Sequence, residues 1–248
     1  MKRTFLSLLW LTMPLSSSIA GVVTVELPSE QLIIEYDAPV RLERALNDTN
    51  IHSKNQTPFS YAINNALFNL DKQRIANNRK QSVLNQINKL RAEQPDFNES
   101  LGILHEQISQ WSIGYREKVS LDLDFVRLEP SANPILSGHY EFEYPDRPTT
   151  ISLEGLFFST TKPESQPDKT VRDYLSSSKA LSDASNSVVW LIYPDGNYKK
   201  IGFAYWNDNQ TAIPPGSILF LAFNNPSEAL LQLEQSIVSL LAWRRNYS

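Results

Sequence analysis

Three histidines, His52, His105 and His139, are the only imidazoles in the chain, and none of its 248 residues is a cysteine. No two of the histidines stand at metal-ligand spacing, so a metal site would have to be completed by carboxylates. Neither a Gly-x-Ser-x-Gly elbow nor a Gly-rich phosphate loop occurs. The residue pattern therefore names no metal, no cofactor and no catalytic set. Asp122 and Asp124 lie two apart on one side of what reads as an extended stretch, and a carboxylate pair is what glycoside hydrolysis uses. Acidic residues flanking a strand edge also serve as turn or surface groups. Asp195 is accounted for by the Pro194-Asp195-Gly196-Asn197 turn it helps to make.

Arg116 stands apart from these. It follows Gly114 and Tyr115 at the point where a helical stretch rejoins a sheet, near the junction of two structural units. A guanidinium placed there would form a bidentate pair with a carboxylate of a partner or an acidic sugar. Equally, it would form a salt bridge within the protein, locking the helical stretch to the sheet. Tyr193, Tyr198, Tyr205 and Trp206 are candidates for a sugar-stacking surface, although alternation along a strand sends about half of them to the core.

The elements that position these residues are clearest in the second half. Thr150 to Phe157 reads as a strand, and Val171 and Leu175 share one side of a short helix. Val188 to Tyr193 is a second strand, the Asp-Gly step makes a hairpin turn, and Tyr198 to Trp206 is its partner. After Pro214-Pro215-Gly216, Ile218 to Phe223 supplies another apolar strand. One helix over a small mixed sheet buries this pattern, which is the shape of a β-grasp module.

The first half repeats the order more faintly. Val23, Val25 and Leu27 alternate, Leu32 to Tyr36 follows, and Val40 to Leu46 is helix-like. From about Asn64 to Glu93 the chain reads as one long helix, with Leu67, Leu70, Val83, Leu84, Ile87 and Leu90 on its stripe. Pro95 ends it, and Asp96 or Asn98 caps a second helix through Leu101, Leu104, Ile108 and Trp111. The stripe is thin around Asn77, Asn78, Arg79 and Lys80, so part of this hairpin is expected in solvent, as a partner-binding arm or a spacer. Lys118 to Leu121, Phe125 to Leu128 and Tyr140 to Tyr144 are three further candidate strands.

A last helix opens at Pro226-Ser227-Glu228. Leu233, Ile237, Leu240 and Leu241 share its apolar face with Leu230, and Glu234 falls inside that sector. The face suits docking on the protein's own second half, contact with a partner protein, or insertion at a membrane surface. Serine and glutamine rather than lysine on the opposite face disfavour the membrane.

Met1-Lys2-Arg3, an apolar run from Phe5 to Met13, and Ser18 and Ala20 read as a secretory signal spanning residues 1–20. Its removal takes the formal charge from −4 to −6, which is no nucleic-acid footprint. A cysteine-free secreted chain is ordinary in the bacterial periplasm. The expected organisation is α+β: a first β-grasp-like domain over residues 21–146 with a helical hairpin inserted at about 64–112, a second over 147–224, and an amphipathic tail helix over 225–248 packed on the second.

Several stretches carry a resemblance. Leu121-Asp122-Leu123-Asp124-Phe125-Val126-Arg127 is followed by Ser131-Ala132-Asn133-Pro134 and Gly138-His139-Tyr140. With Arg147 to Gly155, Pro214-Pro215-Gly216-Ser217 and Gln235 to Leu241, the chain resembles the GfcC family of capsule-biosynthesis proteins. The resemblance implies a periplasmic protein of polysaccharide export with two β-grasp domains similar to those of the outer-membrane channel Wza. It also implies a cleft arginine corresponding to Arg116, and a monomer that binds polysaccharide or an export-complex partner without catalysis. Arg116, Tyr115, Asp124 and Arg127 are the candidate ligand-binding residues, and Leu233, Ile237, Leu240 and Leu241 the candidate partner-binding ones. The alternatives are a carbohydrate-modifying enzyme built on Asp122, Asp124 and Arg116, and a structural component of an export channel.

Overall fold

The computed structural model describes residues 23–52, 62–208 and 210–245. The expected signal segment, residues 1–20, lies outside them.

β1 (Val23–Leu27) buries Val23, Val25 and Leu27 and turns through Pro28 into β2 (Leu32–Tyr36), its antiparallel neighbour. A two-residue strand, β3 (Val40–Arg41), leads into α1 (Leu42–His52), whose Leu42, Ala45 and Leu46 cover the sheet. β4 (Ala66–Asn69) comes next. The chain then leaves through two helices, α2 (Gln73–Glu93) and α3 (Asn98–Gln110), and a short helix, α4 (Leu123–Leu128). β5 (Ile135–Leu136) pairs with β3, and β6 (His139–Glu143) enters the main sheet parallel to β1 and antiparallel to β4. The sheet order is β2-β1-β6-β4.

The second sheet is built on the same frame. β7 (Ser152–Gly155) is followed by α5 (Val171–Ser176), with Thr170 and Asp173 in a reciprocal capping box. β8 (Val188–Ile192), β9 (Tyr198–Gly202) and β10 (Ile218–Leu221) complete the order β7-β10-β8-β9. β10 runs parallel to β7, as β6 does to β1. Antiparallel bridges from Thr150 to Glu164 and from Leu153 to Thr161 hold the outer edge of β7, where the first sheet has β2. In both halves the last strand therefore lies parallel to the first, with a hairpin partner outside and one helix on the face.

Two hydrophobic cores result, and their membership departs from chain order. The first joins β1, β6, α1 and α4. The second joins the β7–β10 sheet with the hairpin residues Ala76, Val83, Ile87, Leu101, Leu104 and Ile108, and with α6 (Glu228–Leu241). The hairpin is thus inserted in the first half of the sequence and buried against the second. It is neither an arm in solvent nor a spacer. The polar run that thinned its stripe is used internally: Lys80 Nζ donates to the carbonyls of Ser109 and Trp111, each at 2.7 Å, and Arg79 lies 4.3 Å over the Trp243 ring. α6 is amphipathic as expected, with Leu230, Leu233, Ile237, Leu240 and Leu241 all buried. It docks on the protein's own second sheet and on α2 together.

Five local expectations are corrected. The long helix begins at Gln73, not near Asn64, because Ala66 to Asn69 are all buried in extended pairing with β6. The spacing of Leu67 and Leu70 imitates a helical period, while the Asn69 side chain caps the turn that follows by accepting from Lys72 N at 3.2 Å. Lys118 to Leu121 forms no strand, and Phe125 to Leu128 is helical. There Asp122 Oδ1 accepts from the amides of Asp124 and Phe125 at 3.0 and 3.2 Å, and Leu123 and Val126, three apart, turn inward. α3 starts without a side-chain cap, since Asn98 instead accepts from Arg91 Nε across the hairpin at 2.9 Å. β9 ends at Gly202, after which Asn207 closes a turn by accepting from Ala204 N at 2.8 Å and donating to Ser187 O at 3.0 Å.

Candidate functional site

Between the two sheets lies a cleft of about 820 Å³ whose walls come from both halves of the chain. Asn65, just before β4, and the segment from Arg116 to Asp122 form one side. The β8–β9 turn at Asp195, Gly196 and Asn197, with Tyr198, forms the other, and Arg79 and Trp243 close an end.

Arg116 is held at the centre by backbone. Its Nη2 donates to Asn65 O at 3.0 Å and to Pro194 O at 2.8 Å, so one guanidinium ties the first sheet's approach to the second sheet's hairpin turn. No carboxylate of the described residues reaches it within ion-pair distance. Desolvation pulls its pKa below the ordinary arginine value, and the fields of Asp195 and Glu143 oppose that shift. The salt bridge expected inside the protein is replaced by two carbonyls. Carbonyls orient the fork without neutralising it, so the cation keeps its charge for the cleft.

The turn facing it is equally determined. Asp195 accepts from Asn197 N and Asn197 Nδ2, both at 2.8 Å. Gly196 has φ +86°, and a Cβ there would stand 3.3 Å from Arg116 Nη1, so glycine is required both by conformation and by the arginine's approach. Asn65 is a buried residue of the cleft wall, and its Nδ2 has no partner among the described residues. Tyr198 offers a partly exposed ring on the rim, and Trp243 has the Arg79 guanidinium over its ring and the Tyr115 ring tilted against it at 54°. The chemistry available is that of recognition: a desolvated cation, amide donors and aromatic faces.

The other expected residues fall elsewhere. Tyr115 packs on Trp243 at 4.7 Å between ring centroids, with Lys72 Nζ 4.6 Å over its other side, and it supports the cleft from behind. Asp124 and Arg127 are on α4, where Arg127 meets Glu43 at 3.4 Å and Asn47 at 3.1 Å on α1. Neither lines the cleft around Arg116. Asp122 and Asp124 are not paired on an extended stretch, since Asp122 caps the helix that carries Asp124. Leu233, Ile237, Leu240 and Leu241 are covered by the second sheet and α2. Tyr205 and Trp206 are 90% and 77% exposed on the turn that Asn207 braces. Among the described residues no group of three His, Cys, Asp or Glu is placed to hold a metal ion, and no helix is long and apolar enough to cross a membrane.

What the residue pattern did not reveal is the strap that follows α6. Trp243 O accepts from Gly114 N at 3.0 Å, and Arg245 N donates to Ser112 O at 2.9 Å, so the strap runs as a short strand beside the end of the hairpin. From it Arg244 pairs with Glu154 of the second sheet, and Arg245 pairs with Glu141 of the first. Two neighbouring arginines thus grip one sheet each. The signal was present in the sequence for one of the two. Glu154 is a carboxylate inside the apolar run from Ile151 to Phe157, and such groups are kept only when paired, whereas Glu141 alternates with Tyr140 and Phe142 as a solvent-facing residue would.

Residues 19–144 match the family profile described as capsule biosynthesis GfcC, N-terminal, and residues 161–245 match capsule biosynthesis GfcC C-terminal. An uncharacterized protein, YjbG, of Escherichia coli strain K12 is 36% identical over 122 residues. That match spans 49% of this chain and 50% of the relative, so the chain covers about half the length of the curated relative it matches.

Proposed function

The chain belongs to the GfcC family of periplasmic capsule-biosynthesis proteins, and from that premise we propose that it is a non-enzymatic accessory factor whose inter-sheet cleft binds the surface polysaccharide during assembly or export. The observation that carries this reading is the Arg116 cleft, in which a desolvated but unneutralised guanidinium, the Asn65 amide and the Tyr198 ring converge in a space sized for a short length of glycan. Acidic repeats would meet Arg116 and Arg79, and sugar rings would stack on Tyr198. The architecture is two β-grasp modules, over residues 21–146 and 147–224, with the tail over 225–248. The support is the shared frame of the two sheets, in which the last strand lies parallel to the first with a hairpin partner outside. Asp122, taken up as a helix cap, leaves the carboxylate-pair alternative without its second group.

Binding of oligosaccharides from the protein's own strain, measured by calorimetry, tests the reading. Tyr198→Ala should weaken binding with little change in melting temperature, and Arg116→Gln should weaken binding and also lower stability, because two carbonyls lose their donor. A deletion strain complemented with Tyr198→Ala should show less surface polymer than one complemented with the wild type. Wild-type protein that bound no polymer would end this reading.

A second reading is favoured by one observation. Tyr205 and Trp206 stand out from a braced turn on the far side of the second sheet's hairpin. Such preorganised aromatics suit an anchor for a protein of the export machinery. Tyr205→Ala with Trp206→Ala should then reduce co-purification of export components while leaving oligosaccharide binding intact. In light scattering the isolated protein should be a monomer.

A further inference from the structure

A second cleft, of about 1020 Å³, lies on the opposite side of the wall that backs Arg116. Consecutive residues face the two spaces: Asn65 and Asn64, Asp195 and Pro194, Trp243 and Arg244. The wall is the seam where the approach to β4, the β8–β9 turn and the C-terminal strap meet, and the Arg116 ties run through it.

Asn64 is the residue this cleft leaves unexplained. It is 2% exposed, and neither Oδ1 nor Nδ2 has a hydrogen-bond partner among the described residues. Room for the amide is kept by Gly216, another lining residue. Gly216 has φ +85°, and a Cβ there would stand 3.0 Å from Asn64 Oδ1 and 2.8 Å from Pro148 Cγ. A buried amide with both atoms unpaired costs the fold stability, and a leucine of nearly the same shape would avoid that cost. Groups that lower stability in this way are found where a ligand completes them.

We propose that Asn64 is the centre of a second glycan subsite, which hydrogen-bonds a pair of adjacent hydroxyls on a neutral pyranose unit. The amide sets one acceptor beside one donor, and neighbouring ring hydroxyls present the complementary pair. The lining carries Glu30, Glu143, Asp146 and Glu154 beside Arg147, Lys162, Arg244 and Arg245, so neither sign of charge dominates it. The Asn64 amide therefore reads hydroxyls, and the desolvated Arg116 on the other side of the seam supplies the cation. The polymer is engaged on both sides of the seam. This inference rests on the polysaccharide-binding reading above.

The test is Asn64→Leu, examined by calorimetry with short oligosaccharides cut from the surface polymer of the protein's own strain, and by thermal melting. The expected result is a melting temperature equal to or above that of the wild type, with affinity lower by about tenfold or more. In titrations followed by NMR, the Asn64 side-chain amide resonances of the wild type should shift with the same oligosaccharides. If Tyr198→Ala weakens binding while Asn64→Leu binds as the wild type does, the second subsite is overturned and the Arg116 cleft stands. If the wild type binds nothing, the parent reading falls with it. A large drop in the melting temperature of Asn64→Leu would show that the amide has a structural partner, and would also overturn the subsite.

Discussion

At the scale of single residues, the interior charges divide into those that hold the molecule together and those left for recognition. Arg245 and Glu141 are both nearly fully buried, and together they join the end of the chain to the first sheet. Removing one member of a buried pair leaves an uncompensated charge, so Arg245→Ala should cost about 3–5 kcal/mol in urea unfolding. Glu234 is different. It accepts from Phe223 N at 3.0 Å, Trp190 Nε1 at 3.4 Å and Lys200 Nζ at 3.5 Å, yet burial outweighs these donors and raises its pKa. A carboxyl whose folded pKa is raised favours the fold while protonated, and that stability is lost as pH climbs through the raised value. Thermal melts across the range from acid to neutral should therefore show the wild type losing ground to Glu234→Gln as pH rises above the usual carboxylate range. A difference independent of pH would mean that the donors balance the burial. Arg116 was legible as a residue of interest because it follows Gly114 and Tyr115 at the junction where the helical hairpin rejoins the sheet. Its partners were not, because backbone carbonyls carry no sequence signature.

At the scale of elements, α4 shows how a cap decides a short segment. Leu121 to Leu128 carries an alternating Leu-Asp-Leu-Asp start that reads as strand, but Asp122 Oδ1 satisfies two free amides and sets the chain turning. Asp122→Ala should cost about 1 kcal/mol of stability in urea unfolding, and a variant as stable as the wild type would show that the cap is not what sets the segment turning. β4 shows the opposite error, since four buried residues next to a true helix extend its apparent period backwards. α6 was the most legible element. Its apolar face is wide, Ser227 caps it with an Oγ that accepts from Leu230 N at 3.4 Å, and each fully buried leucine or isoleucine contributes about 1.5–3 kcal/mol.

At the scale of the whole molecule, the hairpin and the second sheet share one core, although the sequence assigns the hairpin to the first half. A fragment of residues 147–245 lacks Val83, Ile87, Leu101, Leu104 and Ile108, and exposes the faces they cover. It should show no cooperative thermal transition by circular dichroism, whereas the full chain should melt with the hairpin and second sheet together. A fragment that melts cooperatively near the full-length temperature would show that the second sheet and α6 suffice as a folding unit. The strap at Arg244 and Arg245 adds to the coupling, since it pairs with Glu154 on one sheet and Glu141 on the other.

Local periodicities were legible in the residues alone: the β8–β9 hairpin with its Asp-Gly turn, the paired helices on either side of Pro95, and the amphipathic tail. These follow from steric and hydrophobic preferences that act within a few residues. Tertiary structure alone decided which core the hairpin joins, where the two buried arginine–carboxylate pairs meet, and that Arg116 is anchored by carbonyls on both sides of a cleft. Those outcomes depend on contacts between residues as far apart as Glu141 and Arg245. A hydrophobic stripe states that a face must be buried, but it does not state against what.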